Sequence, residues 1–306
     1  MLKLPPYVVI TPARDEAAFI ELTIQSVVAQ TALPLRWIVV SDGSRDGTDE
    51  IVARYAAKYP WIELIRMPER KERHFAGKAH AFRTGKARVD GLAYEVIASL
   101  DADITFEKDY FSFLLERLVE DAELGLVGTS LVDTSGACYD YRFVGVEHVC
   151  GACQVFRRQC FEAIGGYLPV RHGGIDKMAV IGARVKGWKT RTFTERFCLH
   201  HRKMGTAQCG PIQAKFQFGV KDYSIGNHPA WQLFRCAYQM TKEPVLLGGL
   251  ALGAGYLWAA IRGERRSASR ELIAFHRRDQ MQRLKRILSR KKPFQQDSPL
   301  APGRKG

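Results

Sequence analysis

The stretch Val96-Ile97-Ala98-Ser99-Leu100-Asp101-Ala102-Asp103 decides the reading of this chain. Its first five residues have the length and composition of a buried strand, and the run stops abruptly at two carboxylates spaced i, i+2. In an open α/β sheet the ligand sits beyond the carboxyl ends of the strands, so Asp101 and Asp103 stand where a substrate or its metal would be. Two acids separated by one small residue can turn toward one hard cation, because Mg²⁺ and Mn²⁺ take oxygen ligands. Taken alone, such a pair equally serves a turn or a helix start, so its meaning rests on its neighbours.

Upstream, the same punctuation recurs. Tyr7-Val8-Val9-Ile10-Thr11 reads as a strand ended by Pro12 and followed by Arg14-Asp15-Glu16. Ile20, Ile24, Val27 and Val28 then follow at helical spacing. Arg36 to Val40 is a second strand, running into Ser41-Asp42-Gly43-Ser44-Arg45-Asp46-Gly47-Thr48, where two glycines allow a tight loop and the approach of a ligand. Ile51, Val52, Tyr55, Ala56 and Tyr59 mark the next helix, with Asp46 and Thr48 as candidate caps and Pro60 as its stop. Ile62 to Arg66 alternates as a strand, and Ala76 to Arg88 reads as a helix opened by Gly77-Lys78. Strand and helix alternate over the first 120 residues, which predicts a parallel sheet with helices on both faces. Three strand ends then carry Asp15/Glu16, Asp42 and Asp101/Asp103 on one side, more acid than a solvated turn requires.

Downstream, Asp109 to Glu120 reads as an amphipathic helix and Leu126 to Gly128 as a strand. Cys153 to Arg158 and Phe161 to Gly166 suggest a strand, a short helix and a glycine cap. His172-Gly-Gly-Ile-Asp176 precedes a helix from about Lys177 to Lys186, with Asp176 placed to cap it, and Lys189 to Phe193 returns to the sheet before Leu199-His200-His201-Arg202.

The net charge of +14 raises nucleic acid as a partner, but 14 Lys/Arg and 4 Asp/Glu fall within residues 262–306, so the basicity belongs to a tail and no nucleic acid is expected. Seven irregularly spaced cysteines, and Pro5-Pro6 where a signal peptide would need an apolar run, predict reduced thiols in a cytosolic setting. Cys150-Gly-Ala-Cys153 with His148 lacks the second half of a zinc set and reads as buried small residues.

Taken together, Thr-Pro-Ala-Arg-Asp-Glu (11–16), Ser-Asp-Gly-Ser-Arg-Asp-Gly-Thr (41–48), Gly-Lys-Ala-His-Ala (77–81), Asp-Ala-Asp (101–103), the Phe-Arg-Arg to Gly-Gly segment (156–166) and Asp176 resemble the family-2 inverting glycosyltransferases over about residues 6 to 203. The resemblance implies the GT-A fold, a Rossmann-like nucleotide-binding α/β sheet merged with an acceptor-binding half. It implies a nucleotide-sugar donor held by Pro12, Arg14, Glu16, Asp42, Gly43, Lys78, Asp101 and Ala102. It further implies a divalent metal cofactor (Mn²⁺ or Mg²⁺) on Asp101 and Asp103, completed by His201 or failing that His200, and Asp176 as the general base. Many members place a Glu before the base where this chain has Ile175. The Gln-x-x-Arg-Trp signature of processive synthases is only echoed by Gln232-Leu-Phe-Arg-Cys, so transfer of single sugars is expected.

The expected organisation is a catalytic domain over 1–230, a helical membrane-associating region over 231–292 and a disordered tail over 293–306. Val245 to Ile261 is an apolar run of 17 residues, at the lower limit for crossing a bilayer. A crossing would translocate the basic tail, against the charge bias of membrane topology, so a shallow insertion is expected. Arg270 to Arg290 has the composition of a basic amphipathic helix for an anionic membrane surface, the alternative being a helix packed on its own domain. The expected protein is thus a peripheral or monotopic cytoplasmic enzyme at the inner face of the cytoplasmic membrane. It would move a sugar to a glycan or polyprenyl-linked acceptor in cell-surface polysaccharide biosynthesis. A sugar nucleotidyltransferase and a non-catalytic membrane-surface binding protein are the competing readings.

Overall fold

The computed structural model describes residues 3–69, 76–138, 141, 143–202 and 210–289. The expected tail 293–306 lies outside them.

The four strands β1 (Tyr7–Ala13), β2 (Arg36–Ser41), β3 (Ile62–Arg66) and β4 (Val96–Leu100) pair in parallel, in the spatial order β3-β2-β1-β4. Neighbouring side chains on a strand point to opposite faces, and the β-branched runs fill both. Val9, Trp37, Val39 and Ala98 pack against the helices α1 (Ile20–Val28), α2 (Thr48–Lys58) and α4 (Tyr110–Glu120). Val8, Ile10, Ile38, Val40 and Ile97 pack on the other side against α3 (Ala76–Val89), α5 (Arg158–Ala163) and α6 (Ile175–Val185). Gly85 lets α3 lie close to this second face: a Cβ there would stand 2.7 Å from Ile10 Cγ2 and 3.0 Å from Val40 Cγ2.

Beyond β4 the sheet departs from an all-parallel plan. It continues through β7 (Cys153–Arg157), β6 (Leu124–Asp133), β8 (Lys189–His200) and β5 (Ile104–Thr105), with β7 antiparallel to both β4 and β6. Strands β6 and β8 run far past the expected 126–128 and 189–193. Their register skips from Thr129↔Phe193 to Ser130↔Phe197, so Thr194-Glu195-Arg196 bulges out of β8 and breaks the alternation a strand would show. Buried Thr129 obscures the pattern of β6 in the same way, its hydroxyl satisfied by Tyr110 Oη at 3.0 Å.

Four helices follow: α7 (Pro211–Ser224), α8 (Pro229–Met240), α9 (Leu247–Ile261) and α10 (Arg270–Leu288). The boundary expected at residue 230 falls within α8, and helical packing begins at Pro211. Asn227 ties three of them: its Oδ1 meets His276 Nε2 at 2.9 Å and accepts from Gln280 Nε2 at 2.8 Å, its carbonyl accepts from Tyr256 Oη at 2.9 Å, and its Nδ2 donates to Gln232 Oε1 at 3.2 Å. Leu284, His276 and Gln280 of α10 are buried, and Asp279 accepts from Arg184 of α6 at 3.0 Å, so α10 is packed on its own domain. Helices α7 and α9 meet backbone to backbone, since a Cβ on Gly255 would run into the Phe216 carbonyl and one on Gly219 into that of Leu252. Replacing Gly255 with leucine should therefore cost on the order of 3 kcal/mol and lower the melting midpoint by roughly 6–12 °C. A variant that melts like the parent would contradict this contact.

Candidate active site

The end of β4 is fixed from both sides. Asp101 N–H donates to the Ala152 carbonyl at 2.8 Å, carrying the antiparallel pairing with β7 past the last strand residue. Lys78, in the first turn of α3, donates through Nζ to the Asp101 carboxylate and, at 3.1 Å, to the Gly151 carbonyl. Burial works against the Lys78 ammonium, but the charge and hydrogen bond of Asp101, together with the charges of Asp176 and Asp103, outweigh it and hold the lysine protonated, its pKa above the ordinary value. Burial likewise pushes the Asp101 pKa up against the pull of Lys78.

Asp103 receives its partners from a segment nearly a hundred residues away. Directly after the Asp-Ala-Asp turn, β5 pairs antiparallel with the end of β8, matching Ile104 with His200 and Thr105 with Leu199. This places His200 Nε2 at 3.1 Å from Asp103 Oδ2. Burial raises the pKa of Asp103, but the hydrogen bond and charge of His200 bring it below the usual carboxylate range, and the same hydrogen bond raises His200. His201, the preferred candidate from the sequence, instead sits 3.1 Å from Thr105 Oγ1 and stacks on Phe19 at 5.8 Å. Arg202, to which the sequence reading gave no role, bridges the Glu16 carboxylate and Asp103 Oδ2, the latter at 3.5 Å from Nε.

On the neighbouring strand ends, Asp42 is buried, its N–H donates to the Ala13 carbonyl at 2.8 Å, and its Oδ2 lies 3.9 Å from Arg14 Nη1. Pro12 stands beside Val40 in the ladder, and Ala102 is buried between the two acids. Gly43 has φ +72 and packs tightly on Glu69, where a Cβ would lie 2.8 Å from Glu69 Cα. Asp15 adopts φ +56 and its carboxylate accepts from Arg45 N–H at 3.0 Å, cross-linking the loops after β1 and β2.

Asp176 faces this cluster from the far side of Gly151. It is the second residue of α6, whose N-cap is Gly174 at φ +91, so the glycine pair turns the chain and Asp176 is not the cap expected. A Cβ on Gly151 would stand 3.1 Å from Asp176 Cβ, so the carbonyl gripped by Lys78 belongs to a residue in contact with Asp176. Gln154 holds the helix start, donating to the Asp176 carbonyl at 3.3 Å while accepting from Tyr167 Oη at 2.7 Å. Asp176 lines a cavity of about 360 Å³ between α6, α7, α8 and α10, together with His148, Lys177, Trp231, Phe234 and Arg235. Burial pushes Lys177 down to about 8 and His148 down to about 4. Burial also raises the thiols of Cys150 and Cys153 to about 11 and about 12, as expected of small buried residues.

The structure therefore brings Glu16, Lys78, Asp101, Asp103, His200 and Arg202 to one end of the sheet, with Asp176 opposite. Among the described residues no group of three or more His, Cys, Asp or Glu is drawn together as a ready metal cage. Lys78, His200 and Arg202 balance the acids.

Residues 8–137 match the family described as Glycosyl transferase family 2. Probable glycosyltransferase YdaM of Bacillus subtilis (strain 168) is 33% identical over 155 residues, covering 49% of this chain and 35% of that protein. Succinoglycan biosynthesis protein ExoA of Rhizobium meliloti (strain 1021) is 28% identical over 182 residues, 52% of each. The chain thus spans about a third to a half of the length of these curated relatives. Among solved structures, the mannosyltransferase PcManGT from Pyrobaculum calidifontis, in complex with GDP-Man and Mn²⁺, superposes with a TM-score of 0.55 at 17% identity over 95% of this chain and 89% of that one. S. aureus TarS 1–349 in complex with UDP-GlcNAc gives 0.54 at 13% identity, over 85% of this chain and 74% of that one. The family match and the shared architecture converge: residues 8–137 are similar to glycosyl transferase family 2, and the chain has the GT-A fold.

Proposed function

We propose that the protein transfers a single sugar from a nucleotide-sugar donor, with inversion, to a hydroxyl of a glycan or lipid-linked acceptor in cell-surface polysaccharide biosynthesis. The observation that carries this reading is the pairing of two unlike sites on either side of Gly151: a compensated acid cluster at the ends of β1 and β4, and Asp176, the cavity-wall carboxylate in contact with Gly151. A nucleoside diphosphate leaves with heavy negative charge, and Lys78, an ammonium kept protonated by its surroundings, is placed to neutralise it. The acceptor hydroxyl must lose a proton on the opposite face, and Asp176 is the carboxylate there to take it. The acceptor oxygen forms its bond to the anomeric carbon as the bond to the phosphate oxygen breaks. The electron pair leaves with the diphosphate, the proton ends on Asp176, and no covalent sugar–enzyme intermediate is needed.

Base and ribose binding falls to Pro12, Arg14, Glu16, Asp42 and Gly43, on loops that Asp15, Arg45 and Ser44 hold together. Arg202, paired with Glu16 and Asp103, adds a cation at the same strand ends.

The carboxylate oxygens and imidazole nitrogen at the end of β4 are the donor types a divalent ion takes. Asp101 and Asp103 with His200, in the place first given to His201, would hold Mn²⁺ or Mg²⁺. Such an ion would supply counter-charge to the departing diphosphate.

With Mn²⁺ and a panel of nucleotide sugars, the purified protein should release nucleoside diphosphate when acceptor is supplied. Release of pyrophosphate from a nucleoside triphosphate and a sugar phosphate would point to a nucleotidyltransferase instead. Asp176→Asn should lower kcat by roughly 10²–10⁴-fold with the donor KM little changed, and a variant retaining full turnover would remove Asp176 from its role. His200→Ala should raise the Mn²⁺ concentration giving half-maximal rate by roughly tenfold or more, whereas His201→Ala should leave it near the parent value. The reverse order would return the assignment to His201.

A further inference from the structure

Helix α9 is apolar all round and only half of it is used. Gly248, Gly249, Leu252, Gly255, Tyr256 and Ala259 form the face pressed onto α7 and α8. The opposite face presents Leu247, Leu250, Leu257, Trp258 and Ile261 at helical spacing, with Ile261 86% exposed. The patch widens through Val245, Leu246 and, on α8, Leu233, itself 73% exposed. A helix without a polar side belongs in a protein core or at a membrane, and an exposed patch of this kind marks an interaction site.

We propose that this face docks the protein on the surface of an anionic bilayer, lying in the interface without crossing it. Length supports the second half of the statement. Fifteen residues make a helix of about 22 Å, short of the ~30 Å hydrocarbon core, and no helix among the described residues is long and apolar enough to cross. The backbone contact with α7 anchors one side of α9 to the protein, so the leucines of the other side enter the headgroup and acyl boundary as a shallow wedge.

Charge selects the occupant. Lys242 precedes α9 and stands over the Tyr238 ring, 5.4 Å from its centroid. Arg262 follows α9 and lies 5.3 Å from the Trp258 ring centroid. Arg265 is exposed just beyond; exposed Glu243 adjoins Lys242 and Glu264 is paired with His172, and residues 262–306 as a whole hold 14 Lys/Arg against 4 Asp/Glu. An apolar stripe rimmed by aromatic rings and cations matches the boundary of a bilayer carrying acidic headgroups. A second copy of the chain would bring an equally basic rim against this one, at an electrostatic cost. Of the apolar residues of α10, Leu284 is buried and Ile273 packs on Gly226 while Leu288 at its end is exposed, so the continuous apolar face is that of α9.

The test uses the full chain and no sugar substrate. Flotation with vesicles of equal parts phosphatidylcholine and phosphatidylglycerol should carry most of the protein upward, while phosphatidylcholine vesicles alone, or high salt, should carry little. Leu250→Glu combined with Leu257→Glu, both at exposed positions, should cut partitioning by about tenfold or more with an unchanged thermal melt. Independently of that variant, tryptophan fluorescence should be quenched by brominated lipid in the parent and much less in Trp258→Phe. Failure of the parent to float, flotation of the double variant like the parent, or quenching that ignores Trp258 would overturn the proposal. So would a parent dimer that the double variant dissociates, which would give the face to a second copy.

Discussion

Two carboxylates at the end of one buried strand must be compensated, and most of the site follows from how that is done. A charge taken out of water is costly unless a counter-charge meets it, and removal of one partner leaves the other exposed to the full penalty. Lys78 answers Asp101 from the first turn of α3. His200 and Arg202 answer Asp103 from the end of β8. The helix that covers one face of the sheet and β8, the strand next to the edge strand β5, are thus tied to the same few oxygens. Arg202 extends the tie to Glu16, so the ends of β1 and β4 and the segment after β8 share one network.

That arrangement gives the two halves of the molecule different chemistry at close range. On the strand-end side, Lys78, His200 and Arg202 stand among the carboxylates. On the other side of Gly151, Asp176 rises from the start of α6 beside a cavity with neutral His148 and aromatic Trp231 and Phe234 in its wall. The glycine at 151 permits this proximity, since a side chain there would press on Asp176. Lys78 and Asp176 thus both meet the one residue Gly151.

The nucleotide-facing half was legible because its punctuation is plain: β-branched runs in β1, β2 and β4 end in acids and glycines, and the helices between them keep one apolar stripe. The second half was not. The two-residue strand β5 is too short to leave a pattern, yet its pairing with β8 decides that His200 and not His201 faces Asp103. Adjacent residues on a strand point to opposite faces, so one of the two histidines had to turn away, but only the register says which. The bulge at Thr194–Arg196 hid the length of β8. Arg202 carried no signal beyond lying next to the histidines. In the C-terminal region the composition of α10 suited a membrane as well as a protein surface. The exposed side of α9 became visible only once its glycines were seen pressed on α7.

The account rests on a single displacement, with the leaving diphosphate held at the end of β4 and the attacking hydroxyl activated by Asp176 on the opposite face. The most direct measurement is the anomeric configuration of the first product formed from a donor of known configuration, read from the coupling of its anomeric proton by NMR before any equilibration. The account predicts inversion at the anomeric carbon. A product that keeps the donor's configuration would require either a covalent intermediate or attack from the diphosphate side, and would contradict the role given to Asp176.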